Sequence, residues 1–263
     1  MKNHRLRLSW ALLAIAAGAA FANPASPPTP AVDSTANPAP GTHAAASSTS
    51  PLMAPDARVD GKSIGEWTGR WWRWAMSQPI APYLDPDGRI CDEGQDGPVW
   101  FLAGTNGNFN PKRDCVVPLG KYLLVPVINM VYWEIDPKQP VNCADLQAGS
   151  AANNDHLVSA VVLIDGKPVA DVAKYRARSN GCFVIDHDEN GAELHAAADG
   201  YWLMLEPLSP GSHTLSIGAN YGAPDEDYGH MQQNFEYVLH VGGRSILSDA
   251  GDASKTLLAG SQR

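Results

Sequence analysis

Beyond its first 22 residues, this 263-residue chain has no apolar run long enough to cross a bilayer. It has no cysteine before Cys91, which excludes a lipid-modified cysteine near the N-terminus. None of its four cysteines sits in a Cys-x-x-Cys pair, so a thiol redox site or a zinc ribbon has little support. No unit recurs at solenoid or propeller spacing. The histidines are scattered, and no two show the spacing of a metal motif. Basic residues are scarce: 19 Lys and Arg stand against 28 Asp and Glu, a formal charge of −9. A chain of that sign repels phosphate backbones and anionic lipid, which argues against a nucleic-acid partner.

What is present falls into four stretches. Residues 1–22 read as an export signal. Lys2, Arg5 and Arg7 precede an apolar run from Leu8 to Phe21, and Ala20-Phe21-Ala22 fits a cleavage site. Cleavage would remove three basic residues and no acidic one, making the chain more acidic still. Residues 23–57 are rich in Pro, Ala, Ser and Thr and almost free of bulky apolar side chains, so they read as a disordered linker. Residues 58–242 read as one domain and 243–263 as a loose tail. The expected location is therefore outside the cytoplasm, periplasmic or secreted, with no membrane span after cleavage. In that setting an even number of cysteines predicts disulfides. Three pairings are possible, and nearest-neighbour closure favours Cys91–Cys115 and Cys143–Cys182.

Inside the domain the patterns predict one helix followed by strands. "SIGEWTGRWWRWAMS" has Ile64, Trp67, Trp71 and Trp74 at helical spacing on one face. "PVWFLAG", "KYLLVPVINMVYW", "GCFVID", "GYWLMLEPL", "SHTLSIGANY" and "FEYVLHV" read as strands, with Pro126 marking an edge or a bulge. Asp165-Gly166 between "VVLI" and "KPV" is the strongest hairpin signal. "NCADLQAG" suggests a helical turn. Many short strands between Gly and Pro turns predict a mostly β fold. We expect an antiparallel β-sandwich, jelly-roll-like, with the Trp-rich N-terminal helix packed on it.

Gly61-Lys62-Ser63-Ile64-Gly65 matches the G-x-S-x-G pattern of serine hydrolases. A nucleophile elbow needs a core strand leading into the turn, and "MAPDARVD" is not one. Ser63-x-x-Glu66 instead predicts a capping box at the helix start. Trp72 lies off the buried stripe, so it is the helix tryptophan most open to a ligand. Trp100 and Trp133 sit in strand-like segments. With Glu134 they complete a candidate ligand-binding set, although core packing is the default for such tryptophans. Glu134, Asp136, Glu206 and Glu236 lie in or beside strands, where an inward carboxylate would have a raised pKa. Asp186, Asp188 and Asn190 resemble the opening of a calcium loop. Ala197 occupies the position of the expected bidentate Glu, which makes an acidic turn the simpler reading. No other cofactor is implied.

The segments "GKSIGEWTGRWWRWAMSQP", "CDEGQDGPVWFLAG", "CVVPLGKYLLVPVIN" and "DGYWLMLEPLSPGSHTLSIGA" together resemble a group of exported bacterial proteins. That group shares the Trp-rich helix and the GYWxMLxPLxPGxHTL segment. The resemblance implies export and a single domain, and it carries over no activity. The leading functional expectation is a disulfide-stabilised sandwich that binds a glycan or another envelope component. The alternatives are an extracellular hydrolase using buried carboxylates or a serine, and a calcium-stabilised structural or adhesive module.

Overall fold

The computed structural model describes residues 50–222 and 230–243. The expected export signal, the expected linker up to residue 49 and the tail from residue 244 lie outside the described residues. The described chain begins inside the stretch that composition assigns to the linker. Pro51–Met53 follows the last residues of a long strand: Glu206 donates its N–H to the Pro51 carbonyl (2.8 Å) and Met53 donates to Met204 (2.9 Å).

Strands β1 (Arg58–Val59) and β2 (Lys62–Ser63) form a small ribbon closed by Asp60 and Gly61, both at positive φ. Helix α1 (Ile64–Ser77) follows directly. The remaining elements are β3 (Val99–Phe101), β4 (Lys112–Val117), β5 (Tyr122–Trp133), α2 (Cys143–Ala151), β6 (Leu157–Ile164), β7 (Lys167–Pro168), β8 (Arg176–Arg178), β9 (Phe183–His187), β10 (Glu193–Leu205), β11 (Gly211–Tyr221) and β12 (Gln232–Val241).

The fold is mostly β and sandwich-like. One sheet runs β3-β5-β10-β8, with β9 also paired to β10; the other runs β4-β12-β11-β6-β7. The sandwich is not wholly antiparallel, because β3 pairs with β5 and β4 with β12 in parallel. The chain passes from β3 in the first sheet to β4 in the second and back to β5. Parallel neighbours need such a crossover, which no hairpin supplies.

Alternation along the strands divides the apolar residues between two cores. Leu203 and Leu205 of β10 and Leu123 and Val125 of β5 face the second sheet, where they meet Leu215, Ile217, Phe235 and Leu239. Trp202, Met204 and Leu124 face the opposite way and receive α1 through Ile64, Trp67, Trp71 and Trp74. The first sheet is thus buried on both faces. The three stripe indoles also satisfy their N–H groups: Trp67 donates to Val59 (3.1 Å), Trp71 to Leu102 (2.7 Å) and Trp74 to Glu93 (2.9 Å). Each such indole removes on the order of 150–250 Å² from water, so the stripe is the main anchor of α1.

Two disulfides, Cys91–Cys115 and Cys143–Cys182, complete the frame. The first ties the loop before β3 to β4. The second ties the start of α2 to the chain just before β9. Among the described residues, no helix is long and apolar enough to cross a membrane.

Candidate functional site

Strand β5 carries a bulge at the place Pro126 marks. Trp202 of β10 stands opposite Pro126, but Tyr201 stands opposite Ile128, leaving Val127 as the extra residue. Val127 and Ile128 therefore both face the inter-sheet core. Beyond the bulge the alternation restarts one residue out of phase. Val131 faces α1 and packs with Trp72 and Met76. Asn129 shares that face and stands opposite Gly200. A Cβ at position 200 would lie 2.2 Å from the Asn129 Cβ, so only glycine leaves Asn129 its place.

A cavity of about 470 Å³ opens here, within the range of roughly 300–1,000 Å³ typical of small-molecule sites. It lies between the second half of α1, the 3-10 turn Pro82–Leu84, residues 104–106, the second half of β5 and the start of β12. Its walls are aromatic: Trp71, Trp72, Tyr83 and Trp133. Trp72 meets Trp71 edge-on at 4.9 Å and Tyr83 at 6.4 Å. Met76, Met130 and Met231 complete the apolar lining. Thioethers suit such irregular gaps because they are unbranched and polarizable.

Two buried amides line the same cavity. Asn129 is 8% exposed, and its side chain has no hydrogen-bond partner among the described residues, its amide opening on the cavity; Trp72 Nε1, on the same cavity, is both buried and unpaired. Gln233 is 3% exposed and accepts the Thr105 N–H through Oε1 (3.3 Å). Its Nε2 reaches the sulfur of Met231 at 3.9 Å, a weak acceptor. A Cβ on Gly104 would come within 2.7 Å of Gln233 Oε1, so a second glycine makes room for a second amide. Buried polar groups are ordinarily paired, and those that are not call for an explanation. A larger hollow of about 540 Å³ lies on the outer face of the second sheet. There Ser159 bonds Asn220 (2.7 Å) and Lys112 pairs with Glu236 (3.1 Å), so those polar groups already serve one another.

Of the four residues singled out for ligand binding, Trp72 and Trp133 come together on the cavity. Trp133 is 40% exposed at its rim. Trp100 is instead buried in the inter-sheet core. Glu134 is buried beside His195 and accepts from the His195 N–H (2.8 Å), the Val141 N–H (3.0 Å) and His195 Nδ1 (3.1 Å). The His195 amide bond outweighs the burial penalty, so the Glu134 pKa lies below its ordinary value, not above it. Glu206 and Glu236 are exposed. The raised pKa expected of an inward carboxylate does not arise at Glu134, because that group is well supplied with donors. Asn129 and Gln233 carried no sequence signal as site residues; Pro126 was the one local mark near either.

The calcium-like stretch forms the β9–β10 turn. Asp188 Oδ1 accepts from the Asn190 and Ala192 amides (2.9 and 2.8 Å), and Asp186 accepts from the His187 amide (2.8 Å). Among the described residues, no group of three or more His, Cys, Asp or Glu side chains is placed to hold a metal ion.

Ser63 is the N-cap of α1, and its hydroxyl is engaged in both directions. It accepts the Glu66 N–H (3.3 Å) and donates to Glu66 Oε2 (2.9 Å). A second serine meets a histidine: His213 Nδ1 lies 2.8 Å from Asp165 Oδ2, and Nε2 lies 3.2 Å from Ser209 Oγ. Nε2 is closer still, 3.0 Å, to the Ser209 backbone carbonyl. A carbonyl only accepts, so the Nε2 proton points there. An Nε2 that donates to the carbonyl does not take a proton from the hydroxyl, and the trio works as a clasp across two turns. No protein-family model, curated protein or solved structure matches the chain.

Proposed function

We propose that this chain is an exported, non-catalytic binding module whose ligand, a glycan or another envelope component, sits in the Trp72–Trp133 cavity. The observation that carries the reading is unspent polar capacity in a cavity walled by indoles: Trp72 Nε1 is buried without a partner, and the Asn129 amide makes no hydrogen bond among the described residues. Sugar rings present C–H faces that stack on indole and hydroxyls that bond amides, so the two halves of the lining match one ligand chemistry. The two disulfides and the β-rich frame support a module built for an oxidising compartment. The engaged Ser63 and the donor-rich Glu134 support a non-catalytic role.

Titration with a glycan panel, followed by tryptophan emission, tests this. Binding is expected to shift or quench emission. Trp133→Ala is expected to weaken binding by about tenfold or more, the scale of one aromatic platform, while leaving the unfolding midpoint nearly unchanged. Unchanged emission across a broad panel would refute the glycan reading.

A further inference from the structure

We infer that the ligand of this cavity is uncharged, a neutral saccharide unit selected by the Asn129 and Gln233 amides. The inference rests on the glycan reading above and narrows it. The chain carries 28 acidic and 19 basic residues, 18% of its length, and none of the described residues lining the cavity is Asp, Glu, Lys, Arg or His. A carboxylate or ammonium entering it would leave water without meeting a counter-charge. The amides add a chemical filter. Each carries donors and an acceptor in one group, as does a sugar hydroxyl. A carboxylate only accepts, so it would face the amide N–H groups well and repel the amide oxygens. Asn129 offers both sides freely, and Gln233 offers its Nε2 because Oε1 is held by Thr105. Gly200 and Gly104 fix where these amides stand, since a Cβ at either would displace its neighbour. Selection is therefore built into the backbone positions as well as the side chains.

Calorimetric titration of the full chain with neutral oligosaccharides and their C6-carboxylate counterparts tests the inference. The neutral member of each pair is expected to bind at least about tenfold more tightly, the equivalent of one lost hydrogen bond to a buried group. Asn129→Asp keeps the shape and adds a charge, and is expected to weaken neutral-sugar binding by a further tenfold or more. The comparison of sugar pairs needs only the unaltered protein, so it decides the matter even if the variant does not fold. Equal or tighter binding of the acidic members would overturn the neutral selection while leaving the cavity as a glycan site. No binding of either kind would overturn the glycan reading itself, and this inference with it.

Discussion

At the scale of single residues, the Ser63–Glu66 pair fixes where α1 begins. The N-cap position needs a side-chain oxygen that accepts from the first turn. Ser63 provides it, and Glu66 returns the bond to the Ser63 N–H at 2.9 Å. That backbone bond, with the Ser63 hydroxyl, holds the Glu66 carboxyl below the ordinary carboxylate range. Ser63→Ala is expected to cost about 1 kcal/mol in chemical denaturation, and Ser63→Thr much less. Neither change should alter ligand binding, because Ser63 lies outside the cavity lining. A loss of any chemical activity with unchanged stability would reverse the assignment. The cap was legible because both partners lie within four residues. Asn129 and Gln233 were not, because they come to line one cavity only after β5 and β12 have taken their places in different sheets.

At the scale of elements, local patterns gave the strands whose inward residues are apolar. They also marked the Asp165-Gly166 turn, where both residues have positive φ, and the bulge at Pro126. They missed β4 and β8. In β4 an inward position holds Arg113, which is 2% exposed and donates to the carbonyls of Asp85 and Ala103 at 2.8 and 2.7 Å. In β8, Arg176 and Arg178 flank the fully buried Asp199 carboxylate. Charges at core-facing positions disguise strand periodicity, and their partners are far away in the chain. The docking of α1 yields a prediction of unusual sign. Gly→Ala inside a helix ordinarily stabilises by up to about 1 kcal/mol. At Gly65 the added Cβ would lie 2.1 Å from the Arg178 carbonyl oxygen. That neighbour is backbone of β8 and cannot turn aside as a side chain would. Gly65→Ala is expected to destabilise by about 1–3 kcal/mol, as other overpacking changes do, and thermal unfolding would show it. A stabilised variant would mean that α1 does not approach β8 this closely.

At the scale of the whole molecule, stability rests on a doubly covered sheet, two cross-links and a set of carboxylates held ionised. The disulfides close segments of 24 and 39 residues, and chain-entropy arguments assign about 3–4 kcal/mol to each. The carboxylates make the fold acid-sensitive. Glu134 is lowered chiefly by the His195 amide, Asp188 by the Ala192 amide and Asp60 by Lys62. At Asp165 burial pushes the pKa up, and the bonds from His213 and the Thr214 amide outweigh it. In each case the folded state binds its proton less readily than the unfolded chain. Stability from these groups is therefore fully present above the ordinary values, 4.5 for Glu and 3.8 for Asp. It is lost as pH falls through the lower folded-state values. The melting temperature is expected to stay level from pH 7 to about 5 and to fall below that. Glu134→Gln should lower it at pH 7, because one of the two oxygens that accept the His195 and Val141 amides becomes a donor NH2. The same variant should show a shallower acid limb, so that the two curves approach each other near pH 3. Scanning calorimetry with the disulfides intact checks both features. Parallel acid limbs would show that Glu134 does not carry its share of the acid response.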